Sequence, residues 1–474
     1  MSELPPGWEL TTLGTIRVDR SRSIDPRRTP EEEFDLFSVP SLAAGVPEQV
    51  KGSEVGSTKK TLCAGTVVIS KINPRLNRVW VIPESRGCQQ IGSGEWIVFS
   101  PTPAVAPKFI GHFLSSGSVR DYLAANVSGV GGSLMRVRPA TLDRYTLPLP
   151  PLPEQQRIVE AIEEQFSRLD AGVASLQRAK RNLARLRASV LSAAVEGRLV
   201  EQSPADEPAA AVIGANWANR RRAGTRGQRT RRAPHIFEGG PWSVPGGWCW
   251  VSLETVAAGQ PNSLKAGPFG SSLKKEQYVS TGYKIYGQEQ VIRGDPNHGD
   301  YYIDEPLFES LRSNQVQAGD LLVSLVGTIG KTLVLPATIE PGIINPRLVK
   351  ITLDPELMSP HYLSLVLRSP GVRRSLGAEA HGQTMDVLNL TILKAAPIPC
   401  PPRPEQDRIL AEVDRQFSIL DSISATVEAG LARAQRLRQS ILREAFAGRL
   451  VPQDPEDEPA SALFARIQSE RSKQ

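Results

Sequence analysis

The chain repeats itself, and the repeat restricts its architecture more than any single motif. PLPEQQRIVEAIEEQFSRLD, starting at Pro151, aligns without a gap on PRPEQDRILAEVDRQFSILD, starting at Pro402. The offset is 251 residues, so that Pro153 meets Pro404 and Asp170 meets Asp421. At the same offset EGRLVEQSPADEPAAA, from Glu196, matches AGRLVPQDPEDEPASA, from Ala447. From Pro153 to Ala211 about half the positions are identical. The openings of the two halves correspond as well, LPPGWELTTLG from Leu4 with VPGGWCWVSLE from Val244. Between these frames the halves diverge, apart from patches: AGTVVISKI from Ala64 echoes AGDLLVSLV from Ala318, and GGSLMRV from Gly131 echoes HGQTMDV from His381. The plan is a variable domain, a constant helix, a second variable domain and a second constant helix.

The constant segments read as long helices. Between Glu154 and Val195 there is no proline, and Ile158, Ile162, Phe166, Leu169, Val173, Leu176, Leu183, Leu186 and Val190 recur in helical steps. The second copy carries Ile409, Val413, Phe417, Leu420, Val427, Leu431, Leu437 and Ile441. Pro153 and Pro404 suit a first helical turn, Glu154 and Glu405 the positive end of the dipole. Gly197 and Gly448 suit a left-handed cap, with Leu199 and Leu450 as the hydrophobic contact after it. A helix of this length measures roughly 60 Å and exposes its stripe unless it is paired. The other copy is a ready partner, and packing between the two is expected at Ile158, Ile162, Phe166, Leu169 and Leu176 against Ile409, Val413, Phe417, Leu420 and Val427.

The fold class expected is α/β in the mixed, α+β sense: two globular domains with twisted sheets and short helices, bridged by an antiparallel pair of long coiled-coil-like helices. The boundaries are 1–152, 153–213, 214–240, 241–403 and 404–474. The third segment, from Gly214 to Gly240, has seven arginines by His235 and reads as a flexible basic linker.

Composition narrows the function. Hydrophobic residues at 40% and charged residues at 22% are ordinary for globular proteins. No apolar run approaches a membrane span, and the start shows no secretory pattern. Cys63, Cys88, Cys249 and Cys400 are scattered along the chain, as are the five histidines, so neither a disulfide framework nor a metal is expected. The expectation is a cytoplasmic, soluble, metal-free protein. The net charge of +6 is compatible with an anionic partner such as DNA.

Candidate contacts to such a partner are cations on turns. SKINPRLNRVW places Lys71, Arg75 and Arg78 around an Asn-Pro turn, and Arg136 follows the GGSLM segment. The second half offers Lys265, Lys274 and Lys275 around GPFGSSLKK, then Lys331 and Arg347. Arginines on loops can read guanine, and lysines can hold phosphates. GTIGKT, ending at Thr332, has the look of a phosphate loop, but that motif needs a glycine at position 325, which is Leu325. The run TLVLPATI also continues as a strand where the motif opens a helix. A turn between two strands is the reading for this segment. No catalytic motif of the hydrolase, metalloprotease, dinucleotide, methyltransferase, helicase or nuclease kinds is found.

The duplicated helix starts LPLPPLPEQQRI and IPCPPRPEQDRI, the duplicated GRLV endings and the GW openings together resemble the DNA-specificity subunits of type I restriction–modification systems. GPFGSSLKK, AGDLLVSLVGTIGK and AGTVVISKINPRLNR are similar to stretches of that family's target-recognition domains. Mild departures include Leu152 against Arg403 and Leu149 against Cys400. The resemblance implies that the chain is not itself an enzyme, and that each domain reads one half of a bipartite, asymmetric site on double-stranded DNA. It also implies that the helices space the domains and dock two modification subunits. Restriction subunits complete the complex, and S-adenosylmethionine, ATP and magnesium are expected on those partners, with no cofactor in this chain. Two other readings remain open on the residues alone, a coiled-coil scaffold without a DNA role and a nucleotide-binding enzyme using GTIGKT.

Overall fold

The computed structural model describes residues 4–127, 135–223, 233–268, 272–325, 331–374 and 390–465. Two helices dominate it, Leu152–Val195 and Arg403–Phe446, of 44 residues each. Both begin one residue before the anticipated proline. Both end in a left-handed glycine, Gly197 at φ 72° and Gly448 at φ 68°. Arg198 N–H bonds back to Ala193 C=O and Arg449 N–H to Glu444 C=O, the six-to-one closure that uses up carbonyls the helix end leaves free. These caps follow the sequence reading, and so do Leu199 and Leu450, which pack half-buried on the cores beside them.

The chain forms two compact units, and neither is a continuous stretch ending where a variable domain ends. Residues 1–177 with 428–474 make one, and residues 178–427 make the other. The long helices themselves begin at Leu152 and Arg403, beside the anticipated boundaries at 152 and 403. Each unit takes the first part of one long helix and the last part of the other.

In the first unit, Glu9–Thr12 pairs antiparallel with Thr146–Leu149. A five-stranded sheet has the order Ser23–Ile24, Lys59–Thr61, Gln89–Gly92, Glu33–Phe37, Glu48–Lys51, with Glu33–Phe37 parallel to Gln89–Gly92. A three-stranded sheet sets Val67–Ser70 between Val79–Val81 and Trp96–Phe99. Val67–Ser70 and Trp96–Phe99 are buried throughout, which explains their continuous apolar runs. The main core combines Trp8, Phe109, Phe113 and Leu149 with Ile158 and Ile162 of the first long helix and Ile441, Leu442 and Ala445 of the second.

The second unit repeats the scheme. Cys249–Ser252 lies between Ile236–Phe237 and Pro397–Cys400. Leu321–Ser324 lies between Thr332–Val334 and Leu348–Ile351, with Leu264–Ala266 on the outer edge. A further sheet holds Tyr283–Tyr286 between Tyr302–Ile303 and a parallel Gly342–Ile344. Trp248, Tyr362, Ile398, Ile409 and Val413 form the core with Ala194 and Val195 from the end of the first long helix. Cys249 and Cys400, far apart in sequence, face each other across adjacent strands as free, buried thiols.

Within each unit the helix segments run antiparallel. In the first, Asp170 pairs with Arg438, whose guanidinium lies 4.2 Å over the Phe166 ring, and Leu176 lies beside Gly430. In the second, Asp421 pairs with Arg187, which lies 5.5 Å over Phe417. These are the same two contacts at repeat-equivalent positions. Leu420 and Val427 are buried and Leu169 is half-buried. Leu186 and Leu437, read as part of the stripe, are instead 52% and 49% exposed.

The basic linker reading is also corrected. Residues 214–223 belong to a helix, Ala209–Ala223. Its alanines favour helix, Ala209 and Ile213 are buried in the second core, and Arg220 is tied to Asp354 and to the Ala257 carbonyl. Residues 224–232 lie outside the described residues.

Candidate nucleic-acid interface

The motifs that recur in both halves converge on one polar arrangement per unit. In the first, buried Glu154 accepts from Trp8 Nε1 at 3.0 Å and from Gln453 Nε2 at 3.2 Å. Gln155, also buried, accepts from Ala106 N–H at 2.9 Å and donates to the Pro150 carbonyl at 3.0 Å. Arg157 pairs with Asp457 at 2.7 Å, and Ala460 N–H donates to the Gly7 carbonyl at 2.9 Å. In the second, Glu405 accepts from Trp248 Nε1 and from Gln202 Nε2, each at 3.0 Å. Gln406 accepts from Ser359 N–H at 2.7 Å and donates to the Pro401 carbonyl at 3.1 Å. Arg408 pairs with Asp206 at 2.5 Å, and Ala209 N–H donates to the Gly247 carbonyl at 3.0 Å. The tryptophan of each GW opening, the EQ and Arg of a helix start, and the Gln and Asp after a GRLV ending thus meet in the same three sets of hydrogen bonds in each unit. Burial pushes the Glu154 carboxyl above its ordinary range, against the hydrogen bonds from Gln453 and Trp8.

The sheets that present the basic candidates share a core with the residues around these sets, Val67 and Ile69 with Trp8 and Ile158, and Leu321 and Val323 with Trp248 and Ile409. In the first unit Lys71 follows Val67–Ser70, and its Nζ donates to the Gly94 carbonyl at 2.7 Å. Arg136 sits beside it through a bridge between Ile72 and Arg136, and its guanidinium meets Glu95 at 2.9 Å. Burial lowers the Lys71 ammonium from its ordinary value, and neighbouring Lys60 and Arg136 lower it further. Arg75 is exposed on the turn Pro74–Leu76, between Asn73 and Asn77, both in the left-handed region. Arg78 lies just beyond that turn. The structure therefore gathers Lys71, Arg75, Arg78 and Arg136 around one end of the Val67–Ser70 sheet. Sequence reasoning missed Lys60 and Glu95, which no motif marks.

In the second unit, Lys331 and Arg347 come together at the corresponding sheet end. Ser324 N–H donates to the Lys331 carbonyl and Leu325 N–H to the Arg347 carbonyl. Arg347 also reaches Gln288, a residue that sequence reasoning passed over. Lys265 is one strand away, opposite buried Lys350. Lys274 and Lys275 are on a separate turn, whose Leu273 packs with Ile285, Ile303 and Ile343. The GTIG portion of GTIGKT, residues 327–330, lies outside the described residues, as do 131–134, 269–271 and 381–387. The strands on either side of GTIG pair antiparallel, and Thr332 enters a strand, not the helix a phosphate loop requires. Among the described residues no cluster of metal-ligand side chains occurs, and no helix is long and apolar enough to cross a membrane.

Comparison with known proteins agrees with this architecture. Residues 29–178 match the family model of the type I restriction modification DNA specificity domain. The chain is 28% identical over 363 residues to the type I restriction enzyme EcoBI specificity subunit of Escherichia coli, covering 73% of this chain and 69% of that one. It is 24% identical over 392 residues to the EcoKI specificity subunit of Escherichia coli K12, covering 79% and 74%. Among solved structures, a chain from a study of complex assembly and conformational transition of the type I R-M system shares the fold, with a TM-score of 0.65 at 21% identity over 95% of this chain and 100% of that one. The HsdS subunit from Thermoanaerobacter tengcongensis gives 0.50 at 21% identity over 94% and 98%. With its duplicated helix starts and endings accounted for in both units, the chain is similar to the DNA-specificity subunits of type I restriction–modification systems, and its residues 29–178 match their specificity domain.

Proposed function

We propose that this chain is the recognition component of a type I restriction–modification complex, each unit reading one half of a bipartite, asymmetric target on double-stranded DNA. The observation that carries the reading is the pairing of sameness with difference. The two units share their anchoring hydrogen bonds residue for residue, yet present different side chains at the corresponding sheet ends. A duplicated frame that carries two dissimilar surfaces suits a target with two dissimilar halves.

In this reading the cations around Ser70 and Ser324 meet phosphates and base edges, while the long helices set the spacer and dock two modification subunits. Catalysis belongs to the partners. S-adenosylmethionine is held by the modification subunits, and ATP and magnesium are used by restriction subunits in the cytoplasm. The chain itself binds no cofactor and transfers no group.

The test is methylome sequencing of a host expressing this chain with its cognate modification subunit. A bipartite adenine-methylated motif that disappears when this chain alone is deleted is the expected result. Exchanging residues 8–147 for another such domain should then alter one half of the motif only. An active modification subunit that leaves no motif dependent on this chain would overturn the proposal and favour the scaffold reading.

A further inference from the structure

The two recognition sheets can be matched position by position. Ser70 faces Trp96 across antiparallel strands in the first unit, and Ser324 faces Leu348 in the second. Beyond the strand ends the backbone hydrogen bonds repeat. Ser70 N–H donates to Arg78 C=O at 2.9 Å where Ser324 N–H donates to Lys331 C=O at 3.0 Å. Lys71 N–H donates to Glu95 C=O at 2.9 Å where Leu325 N–H donates to Arg347 C=O at 3.1 Å. Arg78 is therefore equivalent to Lys331, and Glu95 to Arg347.

The two equivalences differ in kind. The first keeps a cation in both units, as a contact to the uniformly charged backbone of any duplex requires. The second inverts the charge, from an acceptor-only carboxylate to a donor-only guanidinium. A carboxylate is repelled by phosphates, so a position that alternates between Glu and Arg is not a backbone contact. It is suited to base edges, where cytosine offers a donor and guanine offers two acceptors. Each side chain is also held in place by a neighbour. Arg136 Nη2 donates to Glu95 Oε1 at 2.9 Å. Arg347 Nη1 donates to Gln288 Oε1 at 3.4 Å, and Gln288 Nε2 donates in turn to Ser324 Oγ at 2.8 Å. Neither is buried by this: the Glu95 side chain stays 30% exposed, and Arg347 is exposed.

We infer that Glu95 and Arg347 are the specificity-determining residues of this register position, Arg347 donating to O6 and N7 of a guanine in one half-site and Glu95 accepting from the amino group of a cytosine in the other. Arg136 and Gln288 are positioning residues. The inference rests on the DNA-recognition reading above and adds to it which side chains make the halves differ.

The experiment uses the methyltransferase assembled on the full chain, selected against DNA in which every base pair of both half-sites is randomised. Arg347→Ala should lower discrimination at one G·C pair of one half-site by about 5- to 150-fold and leave the other half-site unchanged. Glu95→Ala should do the same at one pair of the opposite half-site. Gln288→Ala should relax the same pair as Arg347→Ala, to a smaller degree, which loss of a merely structural contact would not do. Arg347→Lys keeps the charge but loses the two-pronged donor, so it should also relax that pair, with a thermal melt matching the parent. Uniform loss of affinity at all positions, or unaltered base preferences in folded variants, would overturn the inference. A parent complex that selects no bipartite motif would instead overturn the recognition reading itself.

Discussion

Glu405 shows how much rests on single buried groups. It is 1% exposed and accepts hydrogen bonds from Trp248 and Gln202. Glu405→Ala strands both donors, and a buried unsatisfied polar group costs about 1–3 kcal/mol. A loss of roughly 2–5 kcal/mol is expected, read as a lower urea midpoint for the second unit. Its counterpart Glu154 links stability to pH. Burial holds its carboxyl above the ordinary 4.5, so the folded state binds that proton more tightly than the unfolded chain. The stabilisation is complete below the ordinary carboxylate value and is lost as pH rises through the raised one. Glu154→Gln carries a fixed cost from the amide but no titration. The Tm of the variant relative to the parent should therefore improve between about pH 4 and pH 7, and a constant difference would refute this assignment.

At the scale of elements, the long helices and their caps were legible because proline, glycine and apolar spacing report on local backbone directly. The GW, EQ and GRLV motifs were visible as words, but their meaning was not, since the hydrogen bonds joining Trp8 to Glu154 and Glu154 to Gln453 span nearly the whole sequence. The exposure of Leu186 and Leu437 was likewise hidden: helical spacing identifies a stripe but not where the partner helix leaves it. Glu95 and Gln288 escaped notice because nothing local distinguishes them from other surface residues. The helix Ala209–Ala223 was obscured by its arginines, which drew a charge-based reading over an alanine-based one. The caps carry their own prediction. Gly448 combines φ 68° with Pro5 Cγ only 2.3 Å from where a Cβ would lie. Gly448→Ala should cost about 1–3 kcal/mol, the left-handed penalty plus displacement of Pro5, measured by urea unfolding. Gly197, facing Pro245 at 2.4 Å, should behave alike.

At the scale of the molecule, neither half of the sequence contains a whole unit. The first unit needs Ile441, Leu442, Gln453, Asp457 and Leu463 from the far end of the chain. Deleting residues from 448 onward should therefore raise amide exchange at Glu9–Thr12 and in the first turns of Leu152–Val195, while Cys249–Ser252 keeps its protection. Equal loosening in both units would contradict the division. Inserting one helical turn into either long helix should lengthen the recognised spacer or abolish binding, assayed by the methylated motif. An unchanged spacer and affinity would exclude the helices as its ruler.

The hydrogen bond from Ala460 to Gly7 is the twin of the one from Ala209 to Gly247. In the second unit the two partners are joined by continuous chain; in the first they belong to opposite ends of the polypeptide. That hydrogen bond is made the same way whether or not the chain runs on between its partners. A circularly permuted gene, opened within residues 224–232 and linked from the old C-terminus to the old N-terminus, should encode the same two hydrogen bonds, with the variable segments translated in reverse order.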